Sequence, residues 1–184
     1  MGDPKKKHKT YTTPKRPYDP DTLLDELRLI GMYGLRNKRE LWKARTELST
    51  IRRRARELLS LSPEERSGRQ RAMTTKLFKM GLVWEDASLE EVLTLTIEDL
   101  LERRLQTMVW RRDMSHSLFQ ARQMITHGHV SIYGQKVRAP SYHVHIEDES
   151  TLDYSRNSPL ANPEHPFRKE MAIEMAIGGE EENE

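Results

Sequence analysis

Residues 101–148 read LERRLQTMVWRRDMSHSLFQARQMITHGHVSIYGQKVRAPSYHVHIED, and this stretch decides the fold. Leu100, Leu101, Leu105, Met108 and Val109 recur at helical spacing. A polar turn follows from Asp113 to His116. Ser117 with Gln120 three residues later is a capping-box pattern, which predicts the start of a second helix. Phe119, Ala121, Met124 and Ile125 form the apolar face of that helix. Gly128 suits the left-handed position after a helix end. Beyond it Val130, Ile132, Val137, Val144 and Ile146 alternate with polar residues, predicting short strands with a turn at Tyr133-Gly134. Two short helices meeting at a tight turn and backed by a small curled sheet make an α+β unit of a size suited to nucleic acid.

Charge points the same way. Arg103, Arg104, Arg111, Arg112, Arg122, Lys136 and Arg138 share the span from Arg103 to Tyr142 with a single acid, Asp113. The flanks are reversed. Residues 81–102 hold seven acids and no Lys or Arg, and residues 143–184 hold eleven acids against three basic residues. The solvated faces of ordinary helices would mix signs. A basic island between acidic flanks is an electrostatic footprint for a polyanion.

The same residues carry a family resemblance. The run from Arg103 to Val144 resembles the S-four RNA-binding domain. That family's pattern is matched by Arg104-Leu105 on the first helix, Ser117 before the second, and Ala121-Arg122-Gln123-Met124. It is matched further by Gly128-His129-Val130, the turn glycine Gly134, and Val137 to Ser141. Tyr133 departs from it, because the family usually has Asn before the turn glycine. The resemblance implies RNA binding. It does not fix the function, since the domain also occurs attached to RNA-modifying and tRNA-charging enzymes.

The chain has 184 residues, of which 33% are charged and 35% hydrophobic. With a mean hydropathy of −0.83, it predicts helical layers around small cores rather than one large core. The net charge of +2 hides a strong segregation: residues 1–80 hold 21 basic and 10 acidic residues, and the remainder 10 and 19. There is no cysteine, which excludes a disulfide scaffold and thiolate zinc sites. No apolar run approaches the roughly 20 residues that span a bilayer, and the N-terminus has no apolar core of a secretory signal.

Residues 1–20 read as an extended basic arm. Lys5, Lys6, Lys7, Lys9, Lys15 and Arg16 stand among prolines, and Tyr11 and Tyr18 are available for stacking on bases. A solubilising tail or an import signal uses similar residues. Asp21 to Gly31 is predicted as a short helix with Leu23, Leu24, Leu27 and Ile30 inward, broken by Gly31 and Gly34. Asn37 and Glu40 form a capping-box pattern for a long helix to Leu59, rich in arginine. Ser62, Pro63 and Glu65 start another helix that runs to Met80. Ser88 with Glu91, and Thr96 with Asp99, start two more. After a Pro- and Asn-rich segment, a last helix is expected over Phe167 to Ile177, then an acidic tail.

The motif from Tyr33 to Trp42, YGLRNKRELW, followed by the arginine-rich helix and the S-four-like domain, resembles the S-four family of small-subunit ribosomal proteins in its archaeal and eukaryotic form. The resemblance runs from about Lys5 to about Pro159. It implies a primary binder of small-subunit (16S-type) ribosomal RNA, beside neighbouring ribosomal proteins, acting early in subunit assembly and bearing on decoding accuracy. The layout is then a basic arm over 1–20, a helical domain over 21–100, the S-four-like domain over 101–160, and a C-terminal helix and acidic tail over 161–184.

Candidate RNA-binding residues are Lys5, Lys6, Lys7 and Lys9 in the arm, with Arg36, Asn37, Lys38, Arg39, Lys43, Arg52 and Arg53 in the helical half. In the α+β unit they are Arg103, Arg104, Arg111, Arg112, Ser117, Gln120, Arg122, Gln123, His127, His129, Lys136 and Arg138. His127 with His129, and His143 with His145, have the spacing of metal ligands. Neither pair has a convincingly spaced carboxylate, so no metal is expected. No phosphate-binding glycine loop or nucleophile elbow is present. No catalytic residue, cofactor, membrane or small-molecule substrate is expected. The rival readings are an RNA-modifying enzyme, a free regulatory RNA-binding protein, and a DNA-binding helix-turn-helix.

Overall fold

The computed structural model describes residues 8–171. Lys5, Lys6 and Lys7 lie outside the described residues, as do the acidic tail and most of the expected last helix. Of that helix, residues 166–171 are helical and Met171 is buried. No helix among the described residues is long and apolar enough to cross a membrane.

The fold is α+β. Its first half is built on α2 (Lys38–Leu59), whose N-cap is Asn37: the Asn37 side chain accepts from the Glu40 N–H at 3.2 Å. Leu41, Ala44, Leu48 and Ala55 are buried along one face of α2. That face packs on α1 (Pro20–Met32), α3 (Pro63–Lys79), α4 (Leu89–Thr94) and α5 (Ile97–Glu102). Leu48, Ala55, Leu77, Leu89, Val92, Leu95 and Leu100 make one core, and Tyr33, Leu35, Leu41, Ala44 and Leu101 a second. Ser88 with Glu91 and Thr96 with Asp99 form full capping boxes. Ser62 precedes α3 without making a side-chain cap, and Pro63 alone fixes that start.

The expected inner face of α1 is corrected. Leu24 is 66% exposed, Leu27 is also exposed, and the buried residue is Glu26, at 1%. The Glu26 carboxylate draws the helix round. It accepts from Trp42 Nε1 at 2.9 Å and pairs with Lys38 at 3.2 Å and Arg45 at 3.8 Å. A buried carboxylate with these partners is satisfied, so the helix tolerates the loss of two leucines from the interior. Gly31 sits inside α1 rather than breaking it. The chain turns at Gly34, whose φ is +56°.

The second correction is a break in the helix predicted through Leu100 and Val109. It divides into α5 and α6 (Leu105–Arg111) at Arg103-Arg104. The cause is non-local. The Leu105 N–H donates to the Tyr142 carbonyl at 2.7 Å and the Val144 N–H to the Arg103 carbonyl at 2.9 Å, with a single bridge between Arg104 and His143. Val144 is therefore buried beside this break, not in a strand, and His143 and His145 lie outside the strands as well.

The next helix, α7 (Leu118–His127), is capped by Ser117 and closed by Gly128 at φ +79°. The Gln120 side chain accepts from the His116 N–H at 2.8 Å, one residue short of a true box. Phe119, expected inward, is exposed. The two-residue turn Tyr133-Gly134 joins β1 (Val130–Ile132) to β2 (Gln135–Lys136), pairing Ile132 with Gln135. Both turn residues have positive φ, 51° and 77°, the arrangement that matches the twist of a tight hairpin. Tyr133 adopts it without being Asn or Gly. A third strand goes beyond the expected pattern: β3 (Leu152–Tyr154) pairs with the other edge of β1, giving the antiparallel order β2-β1-β3. Ile146, expected in a strand, opens the short α8 (Ile146–Glu149) and is exposed. The core under the sheet joins Leu105, Val109, Ala121, Met124, Ile125, Val130, Ile132, Val144 and Leu152.

Candidate nucleic-acid interface

The candidate cations fall into two populations. One faces inward. Arg104, at 5% exposure, donates to Glu40 Oε2 at 2.8 Å. Arg122 pairs with the same carboxylate, and its Nη1 donates to Gln106 Oε1 at 3.1 Å. Gln106 is itself buried and donates from Nε2 to the carbonyls of Gly34 and Leu118, each at 2.9 Å. Glu40 thus ties the start of α2 to α6 and α7. Desolvation pushes its carboxyl up, but the hydrogen bonds and charges of Arg122 and Arg104 outweigh this and hold it below the ordinary value. Gly34 completes the junction: a side chain there would meet Leu118 Cβ at 2.8 Å and Gln106 Nε2 at 2.9 Å.

Arg103 and Arg111 are also engaged. Arg103 donates to the Val144 carbonyl at 2.8 Å, pairs with Glu149, and lies against Gly81 of the helical domain. Arg111 forks onto Glu102 at 2.9 and 3.2 Å, and that carboxylate also accepts from Tyr33 at 3.1 Å. Burial and then Glu102 raise the Tyr33 phenol above its ordinary value, so it stays a donor. Arg112 reaches Glu149 only at 3.8 Å.

The other population faces outward. Lys136 and Arg138 are exposed beside Gly128, and Arg36, Arg39 and Lys43 are exposed at the start of α2. No ion pair among the described residues holds these five. Lys43 stands on the rim of a groove of about 300 Å³ between the two domains, lined also by Glu40, Glu47, Arg104, Arg122 and Ser141. Lys9 lies over the Tyr11 ring at 4.6 Å and Arg39 at 5.9 Å. Tyr11 in turn packs on Trp42 at 5.9 Å, and Thr12 bonds Thr46 at 3.1 Å. The described part of the arm is therefore seated on α2, and Tyr11 is not free to stack on a base, whereas Tyr18 is exposed.

Most of the remaining candidates serve local structure. Lys38 pairs with Glu26, Arg52 bonds the Leu95 carbonyl, and Arg53 has an exposed partner in Glu57 at 3.8 Å. Asn37, Ser117 and Gln120 act at helix starts. Gln123 and His127 are exposed. His129 bonds Ser158 at 2.8 Å, and burial, then the nearby His127 and Lys136, lower its pKa. Its ring stacks on that of His127 at 6.3 Å between centroids, and no metal-holding cluster of His, Asp and Glu occurs among the described residues. Glu40 and Gln106 organise the site without standing out as candidates in the sequence. A signal for Glu40 is present there: it is the sole acid between Glu26 and Glu47, in a run of cations.

A helical domain clamped to a helix-turn-helix-like unit backed by a three-stranded sheet defines a two-part protein with exposed cations on both parts. Its second part matches the S4 domain family over residues 103–150, and its first matches the Ribosomal protein S4/S9 N-terminal domain family over residues 5–102. The chain is 47% identical over 161 residues to the small ribosomal subunit protein uS4 of Hyperthermus butylicus, covering 88% of this chain and 92% of that one. It is 46% identical to the uS4 protein of Ignicoccus hospitalis, with 86% and 96% covered. The uS4 protein of Thermoplasma acidophilum is 42% identical, with 92% and 86% covered. The chain belongs to the small ribosomal subunit protein uS4 family.

Proposed function

We propose that the chain is a structural, non-enzymatic constituent of the small ribosomal subunit. It binds small-subunit ribosomal RNA directly, beside neighbouring ribosomal proteins, and helps nucleate assembly of the subunit body. A bearing on translational accuracy goes with that place. The observation that carries the reading is that both halves expose cations held by no ion pair among the described residues: Arg36, Arg39 and Lys43 in the first, Lys136 and Arg138 in the second. Arg36, Arg39 and Lys43 on one side and Lys136 and Arg138 on the other contact phosphates. Lys9 and the three lysines before it in the arm, Lys5 to Lys7, add to these contacts. Phosphate contacts by such residues release counterions and set register, while the rigid clamp matches the shape of folded RNA. Arg104 and Arg122 act by positioning, through Glu40.

Sedimentation of cell lysate in low- and high-salt sucrose gradients tests this. The expected result is near-stoichiometric protein in the small-subunit peak that resists the high-salt wash. A soluble or substoichiometric pool released by salt overturns it.

A further inference from the structure

Opposite in character to the exposed cations is a groove of about 460 Å³ between the end of α3, the loop after Gly81, the link from α4 to α5, and α8. Its walls are Phe78, Leu82, Val83, Trp84, Leu95 and Ile146. Trp84 is 83% exposed and Ile146 is also exposed, so two large apolar side chains stand at the mouth. Isolated exposed apolar residues need no explanation, but an exposed indole on an apolar groove marks a contact surface. The surroundings are acidic. Glu91 lines the groove, and Glu85, Asp86, Glu90 and Glu147, all exposed, directly follow or precede lining residues or their neighbours in the chain. One cation, Arg103, lines the groove and another, Lys79, stands next to the lining Phe78 in the chain, and both have partners. Arg103 is engaged with Glu149 and the Val144 carbonyl, and Lys79 reaches Glu147 at 4.0 Å.

Such surroundings repel phosphate, so RNA does not fit here. The complement is a cationic chain with planar groups, because guanidinium stacks on indole and pairs with carboxylates in the same contact. We propose that the Trp84 groove docks an arginine-rich peptide segment of another protein. Guanidinium groups lie over the Trp84 ring, the apolar parts of their side chains enter the groove, and Glu85, Asp86 and Glu90 hold the charges. This does not depend on the ribosomal reading, since the contact is measured on the free protein.

The experiment titrates the full-length chain with a nona-arginine peptide, following the indole N–H resonances by NMR and affinity by calorimetry. Trp84→Phe assigns the Trp84 signal among the three tryptophans. The expected result is a saturable shift of Trp84 while Trp42 and Trp110 stay still. The Glu85→Gln, Asp86→Asn, Glu90→Gln triple variant weakens binding about tenfold, by loss of three exposed pairs. Trp84→Ala weakens it about threefold. Affinity unchanged in both variants overturns the proposal. So does a Trp84 shift produced by a structured RNA, or by raising the protein concentration alone, which would assign the groove to nucleic acid or to a second copy of this chain. The variants leave the exposed cations intact, so their RNA affinity stays at the parent value and separates failure here from failure of the ribosomal reading.

Discussion

The α6–α7 face and the β1–β2 hairpin carry the same sign of charge and use it in opposite ways. On the helices, Arg104 and Arg122 converge on one carboxylate of the other domain and hold two domains together. On the hairpin, Lys136 and on its exit Arg138 stand in solvent with no ion pair among the described residues. The difference is the presence of an acid within reach. Glu40 and Glu102 reach the helices, and among the described residues no acid pairs with the hairpin exit. Charge density in a sequence therefore sets the sign of a surface, while the distant acids decide which cations remain available to a polyanion.

The largest effect is expected where the inward population is broken. Glu40→Ala leaves Arg104 buried without its counter-charge, and removal of one partner from a buried pair costs about 3 kcal/mol. Urea unfolding measures it, and a loss below about 1 kcal/mol would show that Arg104 finds water instead. The same pair sets an acid limit. A carboxyl held below its ordinary value of 4.5 in the fold contributes stability that is fully present above that value, and the contribution is lost as pH falls through the lower folded value. Glu47 acts in the same direction, its carboxyl held down by the His143 hydrogen bond against an opposing desolvation. Stability should thus fall on acidification below about pH 4.5, and Glu40→Gln should flatten that fall. A variant with the parent's full acid sensitivity would exclude Glu40 as its source.

Breaking the outward population should do less to the fold and more to binding. Lys136→Ala with Arg138→Ala leaves unfolding within about 0.5 kcal/mol of the parent. Affinity for transcribed small-subunit ribosomal RNA drops about tenfold. The slope of log K against log salt becomes shallower by about 0.7 to 0.9 for each phosphate no longer neutralised. Anisotropy titrations across a salt series read both. An unchanged slope would move the phosphate contacts off the hairpin. Arg104→Ala makes the opposite control, with stability falling and the salt slope near the parent's once folded protein is selected.

The division between the two populations is largely hidden in the sequence, for a physical reason. Local signals are legible there: the boxes at Ser88 and Thr96, the cap at Ser117, the left-handed Gly128 and the hairpin turn all depend on residues within four positions. The features that local reasoning misplaces depend on remote partners. Glu26 turns α1 over because Trp42 lies 16 positions away in the next helix. The helix through Leu100 and Val109 breaks because residues 142–144 pair with its backbone. Arg104 and Arg122 turn inward toward an acid 64 and 82 positions distant. The family motif marks the residues around Arg104 and Arg122, and only the packed fold separates positioning from contact.

The smallest effect sharpens the comparison at the hairpin itself. Tyr133 holds φ at 51°, a left-handed conformation that costs a bulky residue about 1 kcal/mol and that Asn accepts more readily. Against that, its hydroxyl donates to the Glu147 carbonyl at 3.1 Å, a bond worth about 1 kcal/mol. Tyr133→Asn removes the strain and the bond together, so the net change in unfolding free energy should be under about 0.5 kcal/mol. A gain of more than about 1 kcal/mol would mean that the exposed bond contributes nothing. A loss of that size would mean that Tyr133 fastens the cationic hairpin to the acidic α8, so that the two oppositely charged faces share one support. The thermal midpoint of the variant, beside its RNA salt slope, distinguishes these: only in the second case does loosening the tip also weaken the phosphate contacts proposed for Lys136 and Arg138.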